Sequence, residues 1–392
     1  MTLRAPKTWW IGLLALTASC NGGQSDSSSA EAGSGSDDST GSVGSVGTVN
    51  PTQTETETQT QTQGPSTTAS TTNPDVTSEP TGPDDTSSNP ESSTGDPVDP
   101  PTELETVYEL PPGAFFENLA VTADGTILIA DHAQKQIFSL TPQGEADVFA
   151  DLDGWPLGIA VDSDGTVIIA AHHSLMFDNA QTFVTSNVMY VADGNGGADV
   201  LTEMPEAGFL NGITMLAPGV VLAADSSAGT IWRIDAANGD VEIWLEHPLL
   251  TQENPNLPAA NGIKLHEGTI FVSNSDRGTL LQIPVADDGS AGVPTTYFTG
   301  PLIDDFTIAA SGAIYATTHG NDVFRINPDL SMQTIASAAQ GVVGNTAVAF
   351  GRTAFDDETV YVTTDGGLFV AGGNAGQSGP GRVVRIPVGE LQ

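Results

Sequence analysis

From about residue 104 onward, apolar residues come in short runs such as "LAVTA", "TILIA", "GIKLH" and "TIFVS", separated by clusters of Gly, Asp and Asn. Runs of this kind, rich in Val, Ile, Thr and aromatic residues and bounded by turn formers, read as β-strands. Nowhere in this region does the spacing change to the 3.6-residue period of a helix. Residues 21–103 differ altogether. They are Ser, Thr, Gly, Asp, Glu, Gln and Pro, as in "TQTETETQTQTQ", with almost nothing large and apolar. Such a segment cannot bury enough surface to offset its ordering entropy, so it is predicted to be a disordered linker.

The strand-like region repeats itself. "ENLAVTADGTILIAD" from Glu117, "LGIAVDSDGTVIIAA" from Leu157 and "NGITMLAPGVVLAAD" from Asn211 share one pattern. It returns in "NGIKLHEGTIFVSN" from Asn261, "DDFTIAASGAIYATTH" from Asp304 and "NTAVAFGRTAFDDETVYVTT" from Asn345. The starting points lie 40, 54, 50, 43 and 41 residues apart. A period in the forties built of strands signals propeller blades. The expected fold is therefore all-β, a six-bladed β-propeller spanning residues 104–392. The last unit holds three strands of its own, and "LETVYEL" at 104–110 is expected to supply the fourth and close the ring.

Asn-Gly usually marks a hairpin turn, yet in "FLNGITML" and "AANGIKLH" it opens a strand. The propeller explains this. The first strand of each blade lines the central channel, so the repeat brings Glu117, Leu157, Asn211, Asn261, Asp304 and Asn345 to one level at its mouth. Gly beside the Asn relieves crowding where the backbones converge. Five of these six side chains offer oxygen, a set that suits a hard divalent cation, and Ca²⁺ is the expected cofactor. The ring contains no imidazole, and the single cysteine of the chain, Cys20, lies far outside it, which disfavours zinc.

The formal net charge is −39, from 49 Asp and Glu against 10 Lys and Arg, and two of those cations, Arg4 and Lys7, precede an apolar stretch at the very start. The acidity excludes nucleic acid as a partner, since phosphates need cations. The first twenty residues, "MTLRAPKTWWIGLLALTASC", combine a basic start, a short apolar core and small residues before Cys20. They read as a signal peptide too short to span a bilayer. "LTASC" resembles a bacterial lipobox, with Thr17 where Leu is usual. The resemblance implies that Cys20 is lipidated and that the membrane is met only through that lipid. Asn21 after the cysteine implies the outer membrane or cell surface rather than retention at the inner membrane.

"FENLAV", "LNGITM", "ANGIKL", "IDDFTI" and "NTAVAFGR" together resemble the SMP-30/gluconolactonase/luciferin-regenerating-enzyme-like propellers. That superfamily also contains paraoxonases and strictosidine synthases. The resemblance implies Ca²⁺ in the channel, held by Glu117, Asn211, Asn261 and Asp304, with Asp305 as a further oxygen. It also implies hydrolysis of a lactone or ester, with Asp304 as both ligand and base. His173 matches one member of the paraoxonase histidine pair, while Leu157 stands where the other belongs. Phe209 replaces the Arg that sugar lactonases place two residues before the first ligand Asn, which turns the expectation from gluconate-type substrates toward a more apolar lactone or ester. Four of the six histidines, including His173 and His319, fall at the ends of second strands and thus on the channel face that bears the ring. Two readings follow from these residues. One is a Ca²⁺-dependent hydrolase; the other is a non-catalytic surface binding or scaffold propeller with a structural cation.

Overall fold

The computed structural model of the protein describes residues 104–174 and 186–392. Cys20, the leader, the linker and residues 175–185 lie outside the described residues.

Strand β1 (Glu105–Pro112) comes first and stands apart in sequence from its sheet. Blade 1 follows with β2 (Phe116–Val121), β3 (Ile127–Asp131), β4 (Gln136–Leu140) and β5 (Ala146–Asp151). Blade 2 holds β6 (Trp155–Val161), β7 (Val167–His172), β8 (Asn187–Ala192) and β9 (Gly196–Met204). Blade 3 holds β10 (Leu210–Ala217), β11 (Val220–Asp225), β12 (Thr230–Asp235) and β13 (Val241–Glu246). In blade 4 the strands are β14 (Ala260–His266), β15 (Thr269–Asn274), β16 (Thr279–Pro284) and β17 (Thr295–Thr299). Blade 5 has β18 (Phe306–Ile308), β19 (Ile314–Ala316), β20 (Val323–Ile326) and β21 (Met332–Ala336). Blade 6 combines β22 (Asn345–Phe350), β23 (Thr359–Thr364) and β24 (Pro380–Pro387) with β1, in the order β1-β24-β23-β22.

Within each blade the strands pair as an antiparallel meander. Blades 1 and 2 also touch edge to edge through a short parallel seam, Ala150 opposite Gly196 and Asp151 opposite Gly197, which joins them into one eight-stranded sheet. The first stretch of the propeller therefore pairs with the last. Arg382 on Glu109 and Arg385 on Glu105 clamp that pairing.

Each seam between neighbouring blades is filled by its own apolar cluster. Leu128 and Ile137 of blade 1 meet Ile159, Ile169 and Tyr190 of blade 2. At the closing seam, Phe116 and Ile127 of blade 1 meet Tyr361 and Val383 of blade 6. A blade sandwiched between two others is dry on both faces, which explains why second strands such as "VIIAAH" and "VVLAAD" are continuous small-apolar runs rather than alternating ones. Each fully buried Ile or Phe contributes about 1.5–3 kcal/mol of transfer free energy, so the ring is held by cores whose partners are distant in sequence.

The inner strands break register at the level of the ring. Pairing shifts between Phe116 and Asn118, between Leu210 and Ile213, between Ala260 and Ile263, and between Asn345 and Val348. A bulge of this kind re-aims a side chain, and here it frees Glu117, Asn211 and Asn261 from the ladder, while Asn345 stays paired with Thr364. The following glycine has a separate cause. A Cβ on Gly212 would lie 2.5 Å from the Asn261 carbonyl oxygen, and one on Gly262 only 2.7 Å from Asp305 Oδ1. Asn-Gly opens these strands because the next blade passes too close for any side chain.

Candidate functional site

Glu117, Asn211, Asn261 and Asp304 are all buried at the start of their inner strands or just before them. The amides are held by a repeated device. Asn211 Nδ2 donates to Ser226 Oγ (3.3 Å), which donates to the Ala260 carbonyl of the next blade (2.6 Å). Asn261 Nδ2 donates to Ser275 Oγ (3.0 Å), which donates to the Ile303 carbonyl (2.6 Å). Because each serine spends its proton on a carbonyl, it accepts from the amide, and the amide oxygen is the atom each Asn has left to offer. Asn261 Nδ2 also donates to Asp304 Oδ1 at 2.7 Å, tying two ring members together.

The carboxylates are less well satisfied. Glu117 Oε2, Asp304 Oδ2 and Asp305 Oδ2 are buried without a hydrogen-bond partner. Burial, followed by the charge of Asp304, pushes the Glu117 carboxyl up to about 8, against the opposing pull of His319. Asp305 Oδ1 is taken by Lys264 Nζ at 2.6 Å, yet burial still raises its carboxyl above the ordinary range.

His319 bridges the site. Its Nδ1 lies 3.0 Å from Asp304 Oδ2 and its Nε2 lies 3.3 Å from Asp365 Oδ2. The first contact is an ion pair, so Asp304 Oδ2 is met by the charge of His319. Burial alone would lower the imidazole, but the two carboxylates outweigh it and hold it well above its usual value as an imidazolium. Its ring sits between Phe115 (5.8 Å between centroids) and Phe369 (4.5 Å). Its backbone is left-handed, φ 55°. A non-glycine residue held there costs roughly 1–3 kcal/mol and persists only where its surroundings over-determine it.

The other predicted residues fall elsewhere. His173 Nε2 lies 3.2 Å from Glu203 Oε1, with both side chains substantially exposed; the structure pairs His173 with Glu203, not with Asp304. Leu157 is core. Asn345 spends both amide atoms on backbone, accepting from Thr318 N (2.8 Å) and donating to the Val342 carbonyl (2.9 Å). Phe209 is buried against His172, 4.4 Å between centroids.

Sequence reasoning missed the roles of several residues. His132 Nδ1 lies 3.1 Å from the Pro156 carbonyl, and His172 Nε2 lies 2.8 Å from the Leu210 carbonyl. They make in blades 1 and 2 the link that Ser226 and Ser275 make in blades 3 and 4. A carbonyl only accepts, so the bonded nitrogens carry the protons. The opposite nitrogens, His132 Nε2 and His172 Nδ1, are buried without partners. Burial pushes the two rings down to about 4 and about 3, so both are neutral. The Asp131-His132, Asp225-Ser226 and Asn274-Ser275 pairs at the second-strand ends carried that signal. Asp365, in "TTDGG", carried none.

No three His, Cys, Asp or Glu side chains converge as a metal cluster among the described residues. A cation here would therefore rest on two carboxylates and two amide oxygens. The donor set fits: it is all oxygen, as Ca²⁺ requires, and it includes a buried carboxylate oxygen of Glu117 that lacks any other partner.

No family model matches the chain. The proposed hetero-Diels-Alderase asR5 of Sarocladium schorii is 24% identical over 330 residues, covering 71% of this chain and 80% of that protein. A gluconolactonase from Xanthomonas campestris superposes with a TM-score of 0.52 at 14% identity, over 73% of this chain and 91% of its own. A calcium-binding regucalcin from Agrobacterium tumefaciens gives 0.50 at 17%, over 74% and 94%. These likenesses establish an all-β propeller fold, one that this chain shares with the gluconolactonase and the regucalcin.

Proposed function

We propose that the channel mouth is a Ca²⁺ site and that the protein is a cell-envelope hydrolase of an apolar lactone or ester. One observation carries the cation: Glu117, 6% exposed, buries a carboxylate oxygen with no partner beside a second carboxylate. Such a group is costly unless a counter-charge arrives. Charge counting agrees. Lys264 matches Asp305, and the remaining Glu117, Asp304 and Asp365 face one imidazolium, His319. Burial keeps Glu117 protonated near neutral pH, so an arriving cation would displace that proton; once Glu117 is ionised, three negatives against one positive leave −2, the complement of a divalent ion. Glu117, Asn211, Asn261 and Asp304 would hold it.

When bound, such a cation supplies a Lewis acid for a carbonyl oxygen. The chain supplies the rest. Asp304, fixed by Asn261 Nδ2 and facing His319, is placed to accept a proton from an attacking water. The His319 imidazolium supports the charge that develops beside it and gives Asp304 its orientation. Phe115 and Phe369 exclude water from one side. The calcium-binding and gluconolactonase neighbours support this reading. Lipidation at Cys20 and the 21–103 linker would hold the propeller at the outer membrane. Calorimetric Ca²⁺ titration, with turnover of a lactone and aryl-ester panel before and after chelation, tests it. Binding without turnover of any substrate favours the scaffold reading, for which Phe209 in place of a polar substrate anchor already speaks; no binding ends both.

A further inference from the structure

The segment 365–379 joins β23 to β24, and six of its fifteen residues are glycine. Gly379 N donates to the Gly366 carbonyl (2.7 Å), so its two ends meet at a narrow neck. Between them the segment bonds to itself: Ala371 N to the Gly367 carbonyl, Gly372 N to the Phe369 carbonyl and Gly373 N to the Leu368 carbonyl, each 2.9 Å. Gly366, Gly367, Gly372 and Gly373 all have positive φ. A compact loop with joined ends and internal bonds moves as a body rather than melting, and such Ω-loops are frequently functional.

One side chain latches this body to the site. Asp365 is fully buried; its Oδ1 accepts from Gly367 N (2.6 Å) and its Oδ2 from Phe369 N (2.7 Å). The same Oδ2 faces His319 Nε2. The Phe369 ring lies on the His319 ring, and the next residue, Val370, is 75% exposed. One aromatic ring thus separates His319 from the outer surface on this side.

Resting on the reading of His319 and the oxygen ring as a ligand site, we propose that 365–379 is a gate which swings about the Gly366–Gly379 neck. Phe369 is its closing and selecting residue, and Asp365 is the positioning residue that holds it shut. A ligand that reaches His319 must take the place of Phe369 or stack on it. The ligand class is then a neutral molecule with a planar or apolar face. A polyhydroxylated acid would leave Phe115 and Phe369 against polar groups and is disfavoured.

The test uses the full-length protein and two readouts. In hydrogen exchange, residues 366–373 of the wild type should open independently of β22 and β23, and Asp365→Asn should speed their exchange about tenfold without changing those strands. Exchange of the loop only in step with the strands overturns the gate. In the second readout, Ca²⁺ release into a chelator from Phe369→Ala should be about tenfold faster, with Kd changed less than about threefold, because removing a cover changes entry and exit together. A changed Kd at an unchanged release rate overturns it as well. Wild-type protein that binds no Ca²⁺ removes the proposed function but not the gate, which then stands or falls on the exchange result alone.

Discussion

The seams of blades 1 and 2 and those of blades 3 and 4 solve the same problem with different chemistry. At each seam, a side chain at the end of a second strand holds the carbonyl that precedes the next ring position. Ser226 and Ser275 do this with one small hydroxyl that also accepts from the ring Asn. His132 and His172 do it with a ring nitrogen, and their second nitrogens stay buried and unpartnered. The serine seams therefore aim amide oxygens toward the proposed cation site. The histidine seams hold the fold together and make it sensitive to acid.

The sharpest way to break this comparison is to remove a ligand from one side and a tie from the other. Asp304→Ala should weaken Ca²⁺ binding more than about 100-fold in calorimetry, since it deletes a charged oxygen and releases Asn261. His132→Ala should leave the affinity within about threefold. Equal losses would mean that the two kinds of seam do not divide the work.

Stability should show the reverse order. His172→Ala leaves the Leu210 carbonyl unpaired and opens a cavity beside Phe209, so denaturant unfolding should lose about 2–4 kcal/mol. Ser275→Ala should lose less, about 1–3 kcal/mol, but should also weaken Ca²⁺ roughly tenfold, because Asn261 loses one of the two partners that orient it. A Ser275→Ala protein with unchanged affinity would separate the hydroxyl from the site.

The pH dependence separates the two groups again. His132 and His172 titrate near 4 and 3 in the folded chain against 6.5 ordinarily. The unfolded state then binds more protons, and their contribution is lost as pH falls below about 6.5. Glu117 near 8 and Asp131 near 7 are raised, so the folded state binds more protons and their contribution is lost as pH rises through those values. Melting in chelator should therefore peak between about pH 4.5 and 6.5 and fall on both sides. Added Ca²⁺ should relieve the alkaline fall due to Glu117 and leave the acid fall untouched. Smallest of all, Arg382→Ala at the exposed closing clamp should cost about 0.2–1 kcal/mol and leave binding unchanged.

Much of the site was legible because propeller repeats are written in strict register. The alignment of Glu117, Asn211, Asn261 and Asp304 was visible from spacing, and the glycine after each Asn pointed to backbones in close approach. What stayed illegible were contacts between side chains that share no register. Asp365 and His319 meet across blades 5 and 6, and nothing near either residue names the other. His173 looked equivalent to a family histidine, yet its neighbour His172 is the one turned inward, because side chains alternate faces along a strand and a shift of one residue exchanges them.

By itself the amino-acid sequence determined an all-β repeat, where each strand begins, the separate character of 21–103 and the oxygen-rich ring. These are local properties: turn chemistry, apolar runs and the period of the repeat. Only the tertiary structure decided which ring members are saturated, as Asn345 is, and which keep a bare oxygen, as Glu117 does. It also decided that His319 is an imidazolium while His132 and His172 are neutral. Protonation and coordination depend on burial and on charges a few ångströms away, and here those charges come from other blades.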